Sequence, residues 1–205
     1  LIENNIVGIS NVDTRAITLH VRSLGAMRAG IFSADESMSS DEMLALVRAS
    51  PEMKGQSLSG QFSTSKSYRI HCENGQVGKV AVLDLGIKKS TLEHLAMRGL
   101  EIEVFPADIS AAEILATSPD GFFFSNGPGD PEASGNQVSM LRELLATKKP
   151  FFGICFGNQL LGRALGFDTY KLKFGHRGIN QPVINNETGR VEVTAHNHGL
   201  ARIHI

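Results

Sequence analysis

Apolar and polar positions change rhythm near residue 78. Beyond it, four short apolar runs are each followed by an amphipathic stretch. Val80-Ala81-Val82-Leu83, Ile102-Glu103-Val104-Phe105, Gly121-Phe122-Phe123-Phe124 and Pro150-Phe151-Phe152-Gly153-Ile154 read as strands. Ser90 to Met97, Ala111 to Ala116, Gln137 to Ala146 and Gly157 to Leu165 read as helices, with Gly99 ending the first and Ser110 starting the second. Such alternation predicts an α/β fold, a parallel sheet flanked by helices on both faces. Ligand sites in such sheets gather at the carboxyl ends of the strands.

Before residue 78 the pattern is less regular. Ile6-Val7-Gly8-Ile9 and Ala29 to Phe32 read as strands. Asp13 is placed to cap a helix running to Leu24 and ended by Gly25. Ser40 precedes Asp41 and Glu42, and Met43, Leu44, Leu46 and Val47 then recur at helical spacing. Together these predict a small α+β piece. Gln56 to Ser67 is rich in small polar residues, and Glu73-Asn74-Gly75-Gln76 reads as a turn. The expected division is residues 1–77 and 78–205. At the far end, Leu200 to Ile205 reads as a further strand.

The remaining composition narrows the function classes. The 205 residues are 41% hydrophobic and 20% charged, with a formal net charge of -1. That balance is ordinary for a globular chain and argues for neither a nucleic-acid nor a membrane partner. No apolar run approaches a membrane span, and Leu1-Ile2-Glu3-Asn4-Asn5 lacks the pattern of a secretion signal, so a cytoplasmic location is expected. Without an initiator Met the chain reads as cut or processed. Its two cysteines, Cys72 and Cys155, are then expected as free thiols rather than a disulfide. The His, Cys and Asp residues show no metal-ligand spacing along the sequence, so no metal is expected.

Two loops carry candidate chemistry. In Gly153-Ile154-Cys155-Phe156-Gly157-Asn158-Gln159 a cysteine stands between a strand and a helix, with glycines two residues before and after it. This is the layout of a nucleophile elbow, in which a sharp turn lifts the side chain clear of the sheet. The following helix offers unpaired N–H groups and a positive dipole end, which are expected to lower the thiol pKa and to receive charge on a carbonyl under attack. A buried structural cysteine is the plainer alternative; a redox role lacks a second cysteine nearby. Ser125-Asn126-Gly127-Pro128-Gly129-Asp130-Pro131 follows the third strand. Its glycines expose backbone and its prolines stiffen it, as suits an amide-substrate clamp, although an ordinary turn would have the same composition.

These two motifs together resemble the class I glutamine amidotransferases. Within that class, Asp13-Thr14-Arg15, Lys173-Phe174-Gly175-His176-Arg177-Gly178-Ile179-Asn180-Gln181-Pro182 and Thr194-Ala195-His196-Asn197-His198-Gly199 resemble the small, glutaminase subunits of carbamoyl-phosphate synthetases. The similarity covers essentially the whole chain. It implies part of a small-subunit N-terminal domain over 1–77 and a C-terminally truncated amidotransferase domain over 78–205. It also implies hydrolysis of L-glutamine to glutamate and ammonia through a cysteine thioester. The ammonia would pass to a large synthetase subunit that uses ATP and bicarbonate to make carbamoyl phosphate for arginine and pyrimidine synthesis. That implies a heterodimer, with no cofactor in this chain.

Residue by residue, the resemblance places the nucleophile at Cys155. It places glutamine contacts at Gly127, Gly129, Gln159, Asn197 and Gly199, and at Leu200, which stands where the family usually has Phe. Phe156 supplies the candidate oxyanion N–H. Asn158 and His196 also depart from common family residues, at non-catalytic positions. The family's catalytic His and Glu are expected beyond residue 205. None of His20, His71, His94, His176, His196, His198 and His204 matches that base. A docking module that keeps the fold without catalysis, and an amidotransferase of anthranilate or guanylate synthesis, are the competing readings. The retained cysteine argues against the first, and Asp13-Thr14-Arg15 with Phe174 to Gly178 against the second.

Overall fold

The computed structural model of the chain describes residues 1–33, 37–72 and 75–202. It resolves into two compact units, Leu1–Glu52 with Lys173–Gly175, and Met53–Leu172 with His176–Ile205.

In the first unit, helix α1 (Thr14–Leu24) starts where Asp13 accepts a hydrogen bond from the Ala16 N–H at 2.9 Å, and it ends at Gly25. Helix α2 (Ser40–Ala49) opens on a capping box in which Ser39 and Glu42 satisfy each other's N–H groups. Neither helix buries a residue. The strands expected at Ile6–Ile9 and Ala29–Phe32 do not form. Strand backbone needs a neighbouring strand for its N–H and C=O groups, and no strand is formed among the described residues of Leu1–Glu52.

The second unit runs in order through α3 (Ser59–Phe62), β1 (Tyr68–Ile70), β2 (Gly78–Leu83), α4 (Lys89–Ala96), β3 (Leu100–Phe105), α5 (Ala111–Ala116), β4 (Gly121–Phe124), α6 (Gly135–Ala146), β5 (Phe151–Gly153), α7 (Phe156–Ala164), β6 (Thr169–Ile184) and β7 (Val191–Arg202). Strands β1 to β5 form one sheet in the order β1-β3-β2-β4-β5. The four strands read from the apolar runs are parallel, and β1 adds an antiparallel edge on β3. Strands β6 and β7 pair separately as a long antiparallel hairpin with two register irregularities. Residues 73 and 74 of the expected turn, and 203–205 of the expected last strand, lie outside the described residues.

The period-two geometry of the strands sends alternate residues to opposite faces. Ala81, Leu83, Phe122 and Phe124 pack with Ile114, Val138, Leu141, Leu144, Phe156 and Leu160, against α5, α6 and α7. Val80, Val82, Ile102, Val104 and Phe123 pack with Leu92 and Ala96 on the α4 face. Both faces of β2 are thus dry. Burying each of these large side chains contributes roughly 1.5–3 kcal/mol. The sheet fixes the ends of β2, β4 and β5 side by side, and the candidate loops begin there.

Candidate active site

Strands β4 and β5 are parallel neighbours, with Phe124 opposite Gly153. Their carboxyl ends therefore emerge together, and the next residues of each strand touch. The Ile154 N–H donates to the Phe124 carbonyl at 3.1 Å, and the Gly157 N–H to the Ser125 carbonyl at 3.1 Å. Cys155 lies between these two bonds with φ 51 and ψ -103, a conformation that L residues rarely adopt. It is the strained turn residue that the Gly-x-Cys-x-Gly frame predicts.

The elbow's second glycine is required by contact. A Cβ on Gly157 would lie 2.2 Å from the Phe124 carbonyl oxygen, and one on Gly153 would lie 2.6 Å from the Gly157 carbonyl carbon. The turn can close this tightly only because both side chains are missing. The Phe156 N–H hydrogen-bonds to Cys155, and the Lys88 ammonium favours the thiolate.

The expectation of a lowered thiol pKa is nevertheless corrected. Burial pushes the Cys155 thiol up, and it outweighs the Phe156 N–H and Lys88 acting in the opposite sense. The thiol also donates a long contact, 3.9 Å, to the carbonyl of Asn197. Lys88 itself escaped the sequence reading. It lies just beyond the carboxyl end of β2, and the strand-end rule for parallel sheets was the available signal.

The glycine loop is anchored from several sides. The buried Ser125 hydroxyl accepts from the Leu85 N–H at 2.9 Å and donates to the Asn126 carbonyl at 2.8 Å. The Asn126 amide donates to the Gly86 carbonyl at 3.0 Å. A Cβ on Gly127 would sit 2.1 Å from the Leu85 carbonyl oxygen, and Gly129 has φ +115 with Gln56 and Leu58 backbone close by. Packing of the loops after β2 and β4 therefore demands these glycines, whatever else meets their backbone. Asp130 is almost wholly buried, and its carboxylate accepts from the N–H groups of Gly55 and Glu132 at 2.8 and 3.0 Å.

Strand β7 brings the third group of candidates. Its Asn197 carbonyl faces Cys155, and its Leu200 carbonyl accepts from the Gln159 side chain at 2.7 Å. Gln159 is buried one turn into α7. The Asn197 side chain accepts from Arg177 across the hairpin. A Cβ on Gly199 would meet only the ends of the Arg177 and Lys171 side chains, each at an ordinary 3.8 Å. The structure thus gathers Cys155, Phe156, Gln159, Asn197 and Leu200 by direct contact and attaches the root of the Gly127–Gly129 loop to the same turn. Among the described residues, the recorded contacts of the thiol include no histidine.

The hairpin also assembles a group that sequence spacing does not suggest. His176 pairs opposite His198, and Gly178 opposite His196. One ring nitrogen from each of His176, His196 and His198 lies within 4.8 Å of the other two. Cross-strand register, absent from linear spacing, brings them together.

Comparison with known proteins agrees with this geometry. A profile described as "Glutamine amidotransferase class-I" matches residues 81–204. The chain is 56% identical over 196 residues to a "Carbamoyl phosphate synthase small chain" of Streptomyces avermitilis, covering 96% of this chain and 52% of the relative. It is 53% identical over 214 residues to the protein of that name from Bifidobacterium longum, covering 98% and 53%. The Mycobacterium tuberculosis counterpart is 49% identical over 205 residues, covering 98% and 54%. The chain therefore spans about half the length of the curated relatives it matches. In fold, it is similar to the crystal structure of a putative GMP synthase subunit from Thermoplasma acidophilum, with a TM-score of 0.51, 22% identity, and coverage of 61% of this chain and 66% of that one. A parallel sheet with a strained cysteine at its carboxyl edge, matched by the family profile over more than half the sequence, means that this chain belongs to the class I glutamine amidotransferase family.

Proposed function

We propose that the chain is the glutamine-binding and nucleophile portion of a carbamoyl-phosphate synthase small subunit. It would hydrolyse L-glutamine to glutamate and deliver ammonia to a large, ATP- and bicarbonate-using synthetase subunit. The observation that carries the chemistry is Cys155, held at φ 51 on the elbow with the Phe156 N–H turned to it. The relatives' shared name supports the pathway. Residues 78–205 are assigned to the amidotransferase domain and 1–77 to part of the small-subunit domain.

In this reading, Cys155 Sγ attacks the side-chain amide carbon of glutamine and the negative charge moves to the amide oxygen, against the Phe156 N–H. Collapse of that adduct breaks the C–N bond. Ammonia leaves after taking a proton, and water then cleaves the glutamyl thioester. Gly127, Gly129, Gln159, Asn197, Gly199 and Leu200 hold the substrate. No cofactor enters this reaction, and ATP belongs to the partner. Because burial keeps the thiol protonated, attack needs a proton acceptor near Sγ. The family's His and Glu, expected beyond residue 205, would supply it.

The test uses the intact protein with its large partner, comparing glutamine-dependent with ammonia-dependent carbamoyl phosphate synthesis. Cys155→Ser should reduce the first on the order of 10⁴-fold or more and leave the second intact. Undiminished glutaminase activity in the variant would remove Cys155 as nucleophile. Co-purification with a large subunit of the anthranilate type would overturn the pathway assignment.

A further inference from the structure

We infer that His176, His196 and His198 form a three-histidine site for a divalent transition metal of the zinc class, on the β6–β7 hairpin.

The hydrogen bonds around the rings assign their protons. Thr194 donates its hydroxyl hydrogen to the Gln181 carbonyl at 3.1 Å. It must then accept from His196 Nε2, 2.9 Å away. Nε2 therefore carries the proton and Nδ1 the lone pair. That Nδ1 is buried, and it has no hydrogen-bond partner among the described residues. An uncompensated buried acceptor costs free energy unless something supplies the missing bond. His198 Nδ1 lies 2.7 Å from the Leu200 carbonyl, which can only accept, so Nδ1 donates and Nε2 carries the lone pair. His176 Nδ1 is 3.3 Å from that same His198 Nε2.

This last distance fits a metal. Two nitrogens bound tetrahedrally to Zn²⁺ at about 2.0–2.1 Å stand about 3.3 Å apart. His176 would offer Nδ1 by carrying its proton on Nε2. The remaining ring nitrogens of His196 and His198 are already engaged by Thr194 and the Leu200 carbonyl. Such outer partners fix tautomer and ring orientation in histidine metal sites. An all-imidazole set favours zinc-class ions over calcium or magnesium. His176 is exposed and the other two are half-buried, which leaves an entry path for an ion. The Arg177 guanidinium lies near the cluster, and it is engaged by the Asn197 side chain.

The site would act on position rather than on chemistry. His198 and Gln159 share the Leu200 carbonyl, and Asn197 sits between two of the ligands with its own carbonyl against Cys155. A bound ion would pin β7 beside the elbow.

The test titrates the intact protein with Co²⁺ as a visible probe, then displaces it with Zn²⁺. Wild type should show the strong d–d bands of a four-coordinate site at one equivalent, and X-ray absorption of the zinc form should show nitrogen neighbours at about 2.0–2.1 Å without sulfur. His176→Asn and His196→Asn should weaken zinc binding at least about 100-fold, and Thr194→Val about 10- to 100-fold. His94→Asn and Cys155→Ser should bind as wild type, so the site stands or falls separately from the glutaminase reading. Absence of the bands in wild type would overturn the site, as would a sulfur neighbour or unchanged affinity in a His176→Asn, His196→Asn double variant. The absorption spectrum of wild type decides the question even where a variant fails to fold.

Discussion

Cys155 is pulled in two directions. Burial raises its pKa, while the Phe156 N–H and the Lys88 ammonium lower it. With burial dominant, alkylation by iodoacetamide in the 205-residue chain should rise with pH to a midpoint above the ~8.5 of an ordinary thiol. Below that midpoint the thiol is neutral and slow. Lys88→Met removes one opposing pull and should move the midpoint higher still. A Cys72→Ser background isolates the rate, and a midpoint at or below the ordinary value would contradict the burial argument. The glycines of the elbow give a second residue-scale prediction. Gly157→Ala places a methyl 2.2 Å from the Phe124 carbonyl and should cost about 1–3 kcal/mol in urea unfolding. Gly135, at the start of α6, has open space around it, and Gly135→Ala should be neutral or stabilising by up to about 1 kcal/mol. At this scale the elbow around Cys155 was legible, because glycine spacing is a local constraint. Lys88 and the histidine cluster were not, since both depend on partners distant in the chain.

At the scale of elements, the helices facing the sheet differ in what they bury. Helix α6 buries Val138, Met140, Leu141 and Leu144. Leu144→Ala should destabilise the second unit by about 2–5 kcal/mol, measured by chemical denaturation, because the packed α5–α6–α7 face cannot fully collapse around the void. Those helices and the parallel strands were legible because each has its own apolar signal. Strand β1 was not: it is three residues long and exists through pairing with β3. The β6–β7 hairpin was read only at its far end. Strand β6 contains Gly175, Gly178 and Pro182, and the register shifts after Lys171 and Gly178 break any alternation of apolar and polar residues. The strands expected at Ile6–Ile9 and Ala29–Phe32 show the converse, apolar runs that pair with no strand among the described residues.

At the scale of the whole molecule, the two units hold their backbone differently. Neither α1 nor α2 buries a residue, whereas β2 and β4 are buried almost throughout. Amide hydrogen exchange of the 205-residue chain should therefore release the α1 and α2 amides first and those of β2 and β4 last, near the global unfolding limit. Equal protection of both sets would refute that ordering. Exposed Ile6, Val7, Ile9, Ile17 and Leu24 show how much apolar surface the first unit leaves in water. No helix among the described residues is long and apolar enough to cross a membrane.

The Leu200 carbonyl has one further consequence. It receives Gln159 and His198 together, which uses both of its lone pairs. Sliding β7 by a single residue would carry His198 along with this oxygen but turn the oxygen away from Gln159 on α7, because successive peptide groups point to opposite sides of a strand. In a hairpin whose apolar pattern specifies alignment poorly, the bond from Gln159 to that one atom favours a single alignment of β7 beside α7.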